Sequence, residues 1–145
     1  MVMWHRNSAM PAHHRIDLKA SLAGMFLAGC TVSLIMGLPR VKAFVLLAIV
    51  LGGMATIYVG AALTTGRTPQ VLVEGLAACA FMVLATLGVW HTPLFLVIGY
   101  LVHGLWDLAH QQNGIPTRIM AWWPPFCLVY DWVIAGAICL RWLRG

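Results

Sequence analysis

Five long apolar stretches constrain the fold of this chain more than any other feature. They cover residues 20–38, 43–63, 70–90, 93–110 and 124–142, with boundaries good to about two residues. A helix needs about 20 apolar residues to cross a bilayer, so each stretch predicts one transmembrane helix. We therefore predict an all-α, polytopic membrane protein. A polar N-terminal arm covers residues 1–19, and a single bundle of five transmembrane helices covers residues 20–145.

Prolines and tryptophans mark the ends of these stretches. Proline is tolerated in the first turn of a helix, where its missing N–H loses no partner. Prolines open the third, fourth and fifth stretches, at Pro69, Pro93 and Pro124. Tryptophans prefer the headgroup zone of a bilayer, so those near the span ends indicate an interfacial belt: Trp90, Trp106, Trp122, Trp123 and Trp142.

The composition excludes most other classes of protein. Hydrophobic residues make up 61% of the chain and charged residues only 9%, against about 25% charged residues in a soluble domain. Soluble, disordered, collagenous and disulfide-scaffold folds are therefore excluded. The net charge of +5 forms no basic stripe, which excludes a nucleic-acid partner. Lysines and arginines divide five to four between the two sides of the predicted bundle, so they do not set its orientation.

Three of the four acidic residues fall inside predicted membrane spans. Asp17 lies in the arm and is an ordinary surface charge, whereas Glu74, Asp107 and Asp131 lie in the third, fourth and fifth stretches. A charge placed in hydrocarbon costs at least about 2.5–3.5 kcal/mol. Because of this cost, carboxylates inside a span are candidates for a functional site.

Histidines accompany these carboxylates on the fourth stretch. His103, Asp107 and His110 are spaced four and three residues apart, which places them within about 60° of one helix face. The third stretch begins, the fourth ends and the fifth begins on the same side of the membrane. Glu74 and Asp131 therefore share one leaflet with this face, and we predict a polar cluster between the third, fourth and fifth helices.

Histidine and carboxylate together are ligands for Zn, Fe or Mn, so we expect one or two divalent ions in this cluster. The backbones of His103 and His110 are about 10 Å apart along the helix axis. A single ion can therefore be bound by Asp107 together with one of the two histidines. Two ions bridged by Asp107 could be bound by both histidines, one histidine to each ion. We expect Asp107, His110 and Glu74 as core ligands and Asp131 as a further or supporting ligand. His103 is expected as a ligand or as the catalytic acid or base.

The polar string resembles that of small bacterial integral membrane proteins with a domain of unknown function. Residues 99–135 carry the resemblance, joined less directly by Glu74, in the strings His103-x-x-Trp106-Asp107-x-x-His110 and Trp123-Pro124-Pro125-x-Cys127-x-x-x-Asp131-Trp132. Relatives often have a second histidine after the last one, where this chain has Gln111. The resemblance implies a bacterial cytoplasmic (inner) membrane and a common role for the polar residues, but it brings no reaction.

These observations predict a metal-dependent membrane enzyme, a hydrolase or an oxidoreductase, that acts on a lipid or isoprenoid-like substrate. Two alternatives stay open at this point: a proton- or ion-coupled carrier subunit, and a non-catalytic small subunit of a membrane complex. Membrane lipid is the expected surrounding, and small residues on the first two spans allow a homodimer. The arm histidines could add ligands or cover the site: His5, His13 and His14.

Overall fold

The computed structural model describes residues 17–65, 67–112, 115 and 117–143. These residues form helices and no strand, which confirms the all-α prediction. The arm histidines His5, His13 and His14 lie outside the described residues. The helices are α1 (Leu18–Gly37), α2 (Arg40–Thr65), α3 (Thr68–Trp90), α4 (Leu94–Gln111) and α5 (Trp123–Leu143).

The residues at the helix starts explain where several helices begin. Asp17 caps α1, because its Oδ1 atom accepts the backbone N–H groups of Lys19 and Ala20 at 3.1 and 3.2 Å. Pro69 lies in the first turn of α3, and Pro124 in the first turn of α5. Pro93 immediately precedes α4 as its N-cap residue. Proline therefore marks the start of three helices, as the sequence predicts.

Four of the five helices, α1, α2, α3 and α5, are long and apolar enough to cross a membrane. Helix α4 is not among them, because polar residues interrupt its 18 residues. The side chains are also distributed as a bilayer requires: Phe26 and Trp90 are 75% and 78% exposed, whereas Glu74 and Asp107 are fully buried. The chain is thus compatible with a multi-pass membrane protein.

Helix packing brings the polar residues together. Helix α5 packs between α1 and α4, while α2 packs along α3, and both α2 and α3 contact α4. Apolar side chains such as Leu47, Leu51, Leu96 and Ile134 fill the space between the helices. Helices α2, α3, α4 and α5 therefore surround a common interior, and each can contribute side chains to it.

Helices α1 and α5 approach each other closely at Gly24. A Cβ atom added there would overlap the backbone carbonyl oxygen of Phe126, which cannot move without shifting α5. We expect Gly24→Ala to lower the stability of the bundle by about 1–3 kcal/mol. Thermal unfolding in detergent measures this loss. The matched control is Gly29→Ala in the same helix, where an added Cβ meets nothing within 4 Å. Equal losses in the two variants would contradict the close approach.

Candidate metal centre

Helix α4 turns all its ionisable residues toward the interior. His103 and Asp107 are fully buried, and His110 is only 7% exposed. Their spacing of four and three residues places them on the face that also buries Gly99 and Tyr100. The predicted common face is therefore the buried face of the helix.

His103 forms the centre of a compact group with two carboxylates. Its Nδ1 atom hydrogen-bonds Oδ2 of Asp131 at 2.7 Å and lies 3.3 Å from Oδ2 of Asp107, one turn further along α4. One potential ligand atom from each of the three residues lies within 4.8 Å of the other two. All three side chains are fully buried. We call this group the His103 triad (His103, Asp107 and Asp131).

Glu74 and His110 form a second group on their own. Nε2 of His110 and Oε1 of Glu74 are 2.9 Å apart, and Nε1 of Trp106 donates to Oε2 of Glu74 at 3.2 Å. Nδ1 of His110 donates to the backbone carbonyl oxygen of Trp106 at 2.9 Å. Both nitrogens of His110 and both oxygens of Glu74 therefore have partners within the protein. We call this group the Glu74–His110 pair.

Tyr58 of α2 connects the triad and the pair, and the sequence prediction did not include it. Its hydroxyl donates a short hydrogen bond to Oδ1 of Asp107. Its ring lies 4.2 Å from the ring of His110 and 6.2 Å from that of His103, measured between centroids. Phe81 of α3 packs edge-on against His103 at 4.9 Å. The sequence signal for Tyr58 was weak, because a hydroxyl in an apolar stretch is shared with the nearby Thr56.

The structure thus brings the five predicted residues to one end of the bundle but divides them differently. The sequence prediction placed Asp107 with His110 and Glu74 as core ligands, whereas Asp107 instead lies with His103 and Asp131. The atoms of His110 that could bind an ion are occupied by Glu74 and by a backbone carbonyl. Metal binding by any of these residues stays a prediction.

Each residue of the His103 triad has a buried polar atom without a hydrogen-bond partner, which bears on whether the triad suits a metal ion. Nε2 of His103, Oδ2 of Asp107 and Oδ1 of Asp131 are buried without a hydrogen-bond partner. Among the described residues, no lysine or arginine forms an ion pair with either aspartate. One imidazole nitrogen and two carboxylate oxygens suit Zn, Fe or Mn. The donor set therefore fits a divalent cation.

Comparison with known proteins identifies a family but no characterised relative. DUF6010, a family of unknown function, matches residues 19–142. This range includes both the His103 triad and the Glu74–His110 pair. No curated protein and no solved structure matches the chain.

Proposed function

This chain belongs to the DUF6010 family, and we propose that it is a multi-pass membrane enzyme that uses one divalent metal ion to act on a lipid-like substrate. His103, Asp107 and Asp131 hold the ion, and all five helices cross the bilayer, with the polar face of α4 turned inward. The observation that carries the proposal is the buried His103 triad, whose ligand atoms lie within 4.8 Å of one another. A bacterial cytoplasmic membrane is the location that the sequence resemblance implies.

Charge balance supports a cation in the triad rather than in the pair. Two buried carboxylates, Asp107 and Asp131, share one imidazole, so when both are ionised a protonated His103 still leaves one negative charge without compensation. Uncompensated charge in an apolar interior is costly, and a divalent cation with neutral His103 removes it. The Glu74–His110 pair has one carboxylate and one imidazole, and it is neutral with a single shared proton. The pair therefore needs no ion.

The surroundings of the triad suit chemistry on a membrane substrate. A bound Lewis-acid metal ion supplies activation of water or oxygen at a dry site, for hydrolysis or oxidation. The contribution of His103, Asp107 and Asp131 is to offer three donor atoms at fixed positions. These atoms lie in an interior that excludes bulk water. The outer surface of the helices is apolar, with Phe26, Leu76 and Trp90 largely exposed, so a substrate that reaches the interior from the bilayer is itself lipid- or isoprenoid-like.

A carrier function receives less support from the described helices. Transport of protons or ions across the bilayer needs polar residues along the whole path. The halves of α3, α4 and α5 beyond the triad are apolar: residues 76–90, 94–102 and 132–140 contain no charged side chain. The polar residues thus reach from one end of the bundle to its middle, as a buried reaction site requires.

Mass spectrometry of lipids tests the proposed activity. The metal-loaded protein is incubated in vesicles of bacterial total lipid extract, with the metal-free protein in parallel. We expect a lipid or isoprenoid species whose mass changes by hydrolysis or by oxygen insertion only when metal is present. Asp131→Asn should abolish the product. Asp17→Asn is the matched control, because Asp17 lies outside the triad and caps α1. An unchanged lipid profile with the metal-loaded wild-type protein would contradict an activity on membrane lipids.

A further inference from the structure

The structure also assigns a role to Tyr58, and this inference rests on the proposed metal site. We propose that Tyr58 is a positioning residue that restricts Asp107 to binding the ion through one oxygen. The hydroxyl of Tyr58 donates to Oδ1 of Asp107, whereas Oδ2 of the same carboxylate faces His103 at 3.3 Å. The two oxygens of Asp107 therefore have different tasks. One is held by α2 and the other is presented to the triad.

The surroundings of Tyr58 fix the position of its hydroxyl. The side chain is 1% exposed, and Ala55 and Ala62 of the same helix face are buried beside it. The ring of His110 lies against the tyrosine ring at a tilt of 38°. His110 is itself held by Glu74 and by the carbonyl oxygen of Trp106. The Glu74–His110 pair therefore supports the metal site through Tyr58, without binding the ion.

A carboxylate can bind a cation through one oxygen or through both. Binding through one oxygen uses a single coordination position, which leaves another position open for water or substrate, as catalytic metal sites require. Without the tyrosine hydroxyl, Oδ1 of Asp107 is a buried acceptor with no donor, so it would be available to bind the ion together with Oδ2. Tyr58 thus keeps open the position on which the chemistry depends.

Cobalt substitution tests this role without measuring activity. The visible absorption of Co²⁺ weakens as its coordination number rises. We therefore expect Tyr58→Phe to keep one Co²⁺ per chain but to absorb less strongly than the wild-type protein. The matched control is Tyr100→Phe, which removes another buried hydroxyl between α4 and α2. The Tyr100 hydroxyl donates to the backbone carbonyl oxygen of Leu47 at 2.7 Å and should not affect the cobalt spectrum.

The outcomes separate this inference from the proposed function. Identical cobalt spectra for wild-type and Tyr58→Phe protein would overturn the role of Tyr58 and leave the metal site intact. Wild-type protein that binds no cobalt would overturn the metal site itself. If Tyr58→Phe does not fold, infrared difference spectra of the wild-type protein test the inference instead. Carboxylate stretching frequencies distinguish binding of the ion through one oxygen from binding through two. Two-oxygen binding by Asp107, identified by the bands that Asp107→Asn removes at an ion concentration that saturates both proteins, would overturn the inference.

Discussion

Asp107→Asn is expected to lower the affinity for the metal ion by about 100-fold or more. The substitution keeps the size of the side chain but removes the charge that faces His103. Changes to residues that only support a ligand already cost about 10- to 100-fold in affinity, and Asp107 is proposed as a ligand itself. Equilibrium dialysis of the purified protein against Zn²⁺ or Mn²⁺ measures the change.

Glu74→Gln is the matched control for this prediction. Glu74 is equally buried and lies in the same polar region, but its oxygens bind His110 and Trp106 instead of the triad. Its substitution should lower the affinity far less than Asp107→Asn does, because Glu74 acts on the site only indirectly, through His110 and Tyr58. If Glu74→Gln loses the ion and Asp107→Asn retains it, the division into a triad and a pair is wrong.

His110→Leu is expected to destabilise the protein by about 3–5 kcal/mol. The substitution leaves the carboxylate of Glu74 fully buried without its imidazole partner, with the indole of Trp106 still donating to it. The double variant Glu74→Leu/His110→Leu should recover most of this loss, because replacing both members of a buried pair by apolar residues is often neutral. Thermal unfolding in detergent compares the three proteins.

Metal content provides the second readout for these variants. Neither His110→Leu nor the double variant removes an atom of the His103 triad, so both folded proteins should keep one ion per chain. A double variant that is no more stable than His110→Leu would show that the cost does not come from an unpaired carboxylate. Loss of the ion in both variants would instead place His110 among the ligands.

Much of the fold could be predicted because it depends on local features of the sequence. Apolar length indicated each helix, and Pro69, Pro93 and Pro124 marked three of the starts. The spacing of His103, Asp107 and His110 fixed a single face of α4, and that face is buried. Helix α4 shows the limit of apolar length as a criterion, since its buried polar residues make it less apolar than the four helices that are long and apolar enough to cross a membrane.

The partners within the site could not be predicted, because they depend on how the helices are rotated and how deeply each lies. The sequence placed Glu74 and Asp131 at similar depth, but it did not show that Glu74 reaches His110 while Asp131 reaches His103. Tyr58 is 49 residues from Asp107, and only the packing of α2 against α4 brings them together. Spacing along one helix specifies a face, whereas contacts between helices require the three-dimensional arrangement.

Trp106 shows how a residue near a span end can have two interpretations. The sequence placed it in the interfacial belt, as for any tryptophan near the end of an apolar stretch. The structure also directs its indole N–H to Glu74 and its backbone carbonyl oxygen to His110. Trp106 therefore contributes to the Glu74–His110 pair through both its side chain and its backbone.

The most direct test of the account is the number of metal ions per chain. The wild-type protein is purified in detergent without chelator, resupplied with Zn²⁺, Mn²⁺ or Fe²⁺, freed of unbound ions and measured by elemental mass spectrometry. The account predicts one ion per chain, lost when Asp107 or Asp131 is replaced by asparagine and retained in Glu74→Gln. Two ions per chain would contradict the single site at the His103 triad. Protein that takes up no ion from any of the three metals would contradict the metal centre and the enzyme function built on it.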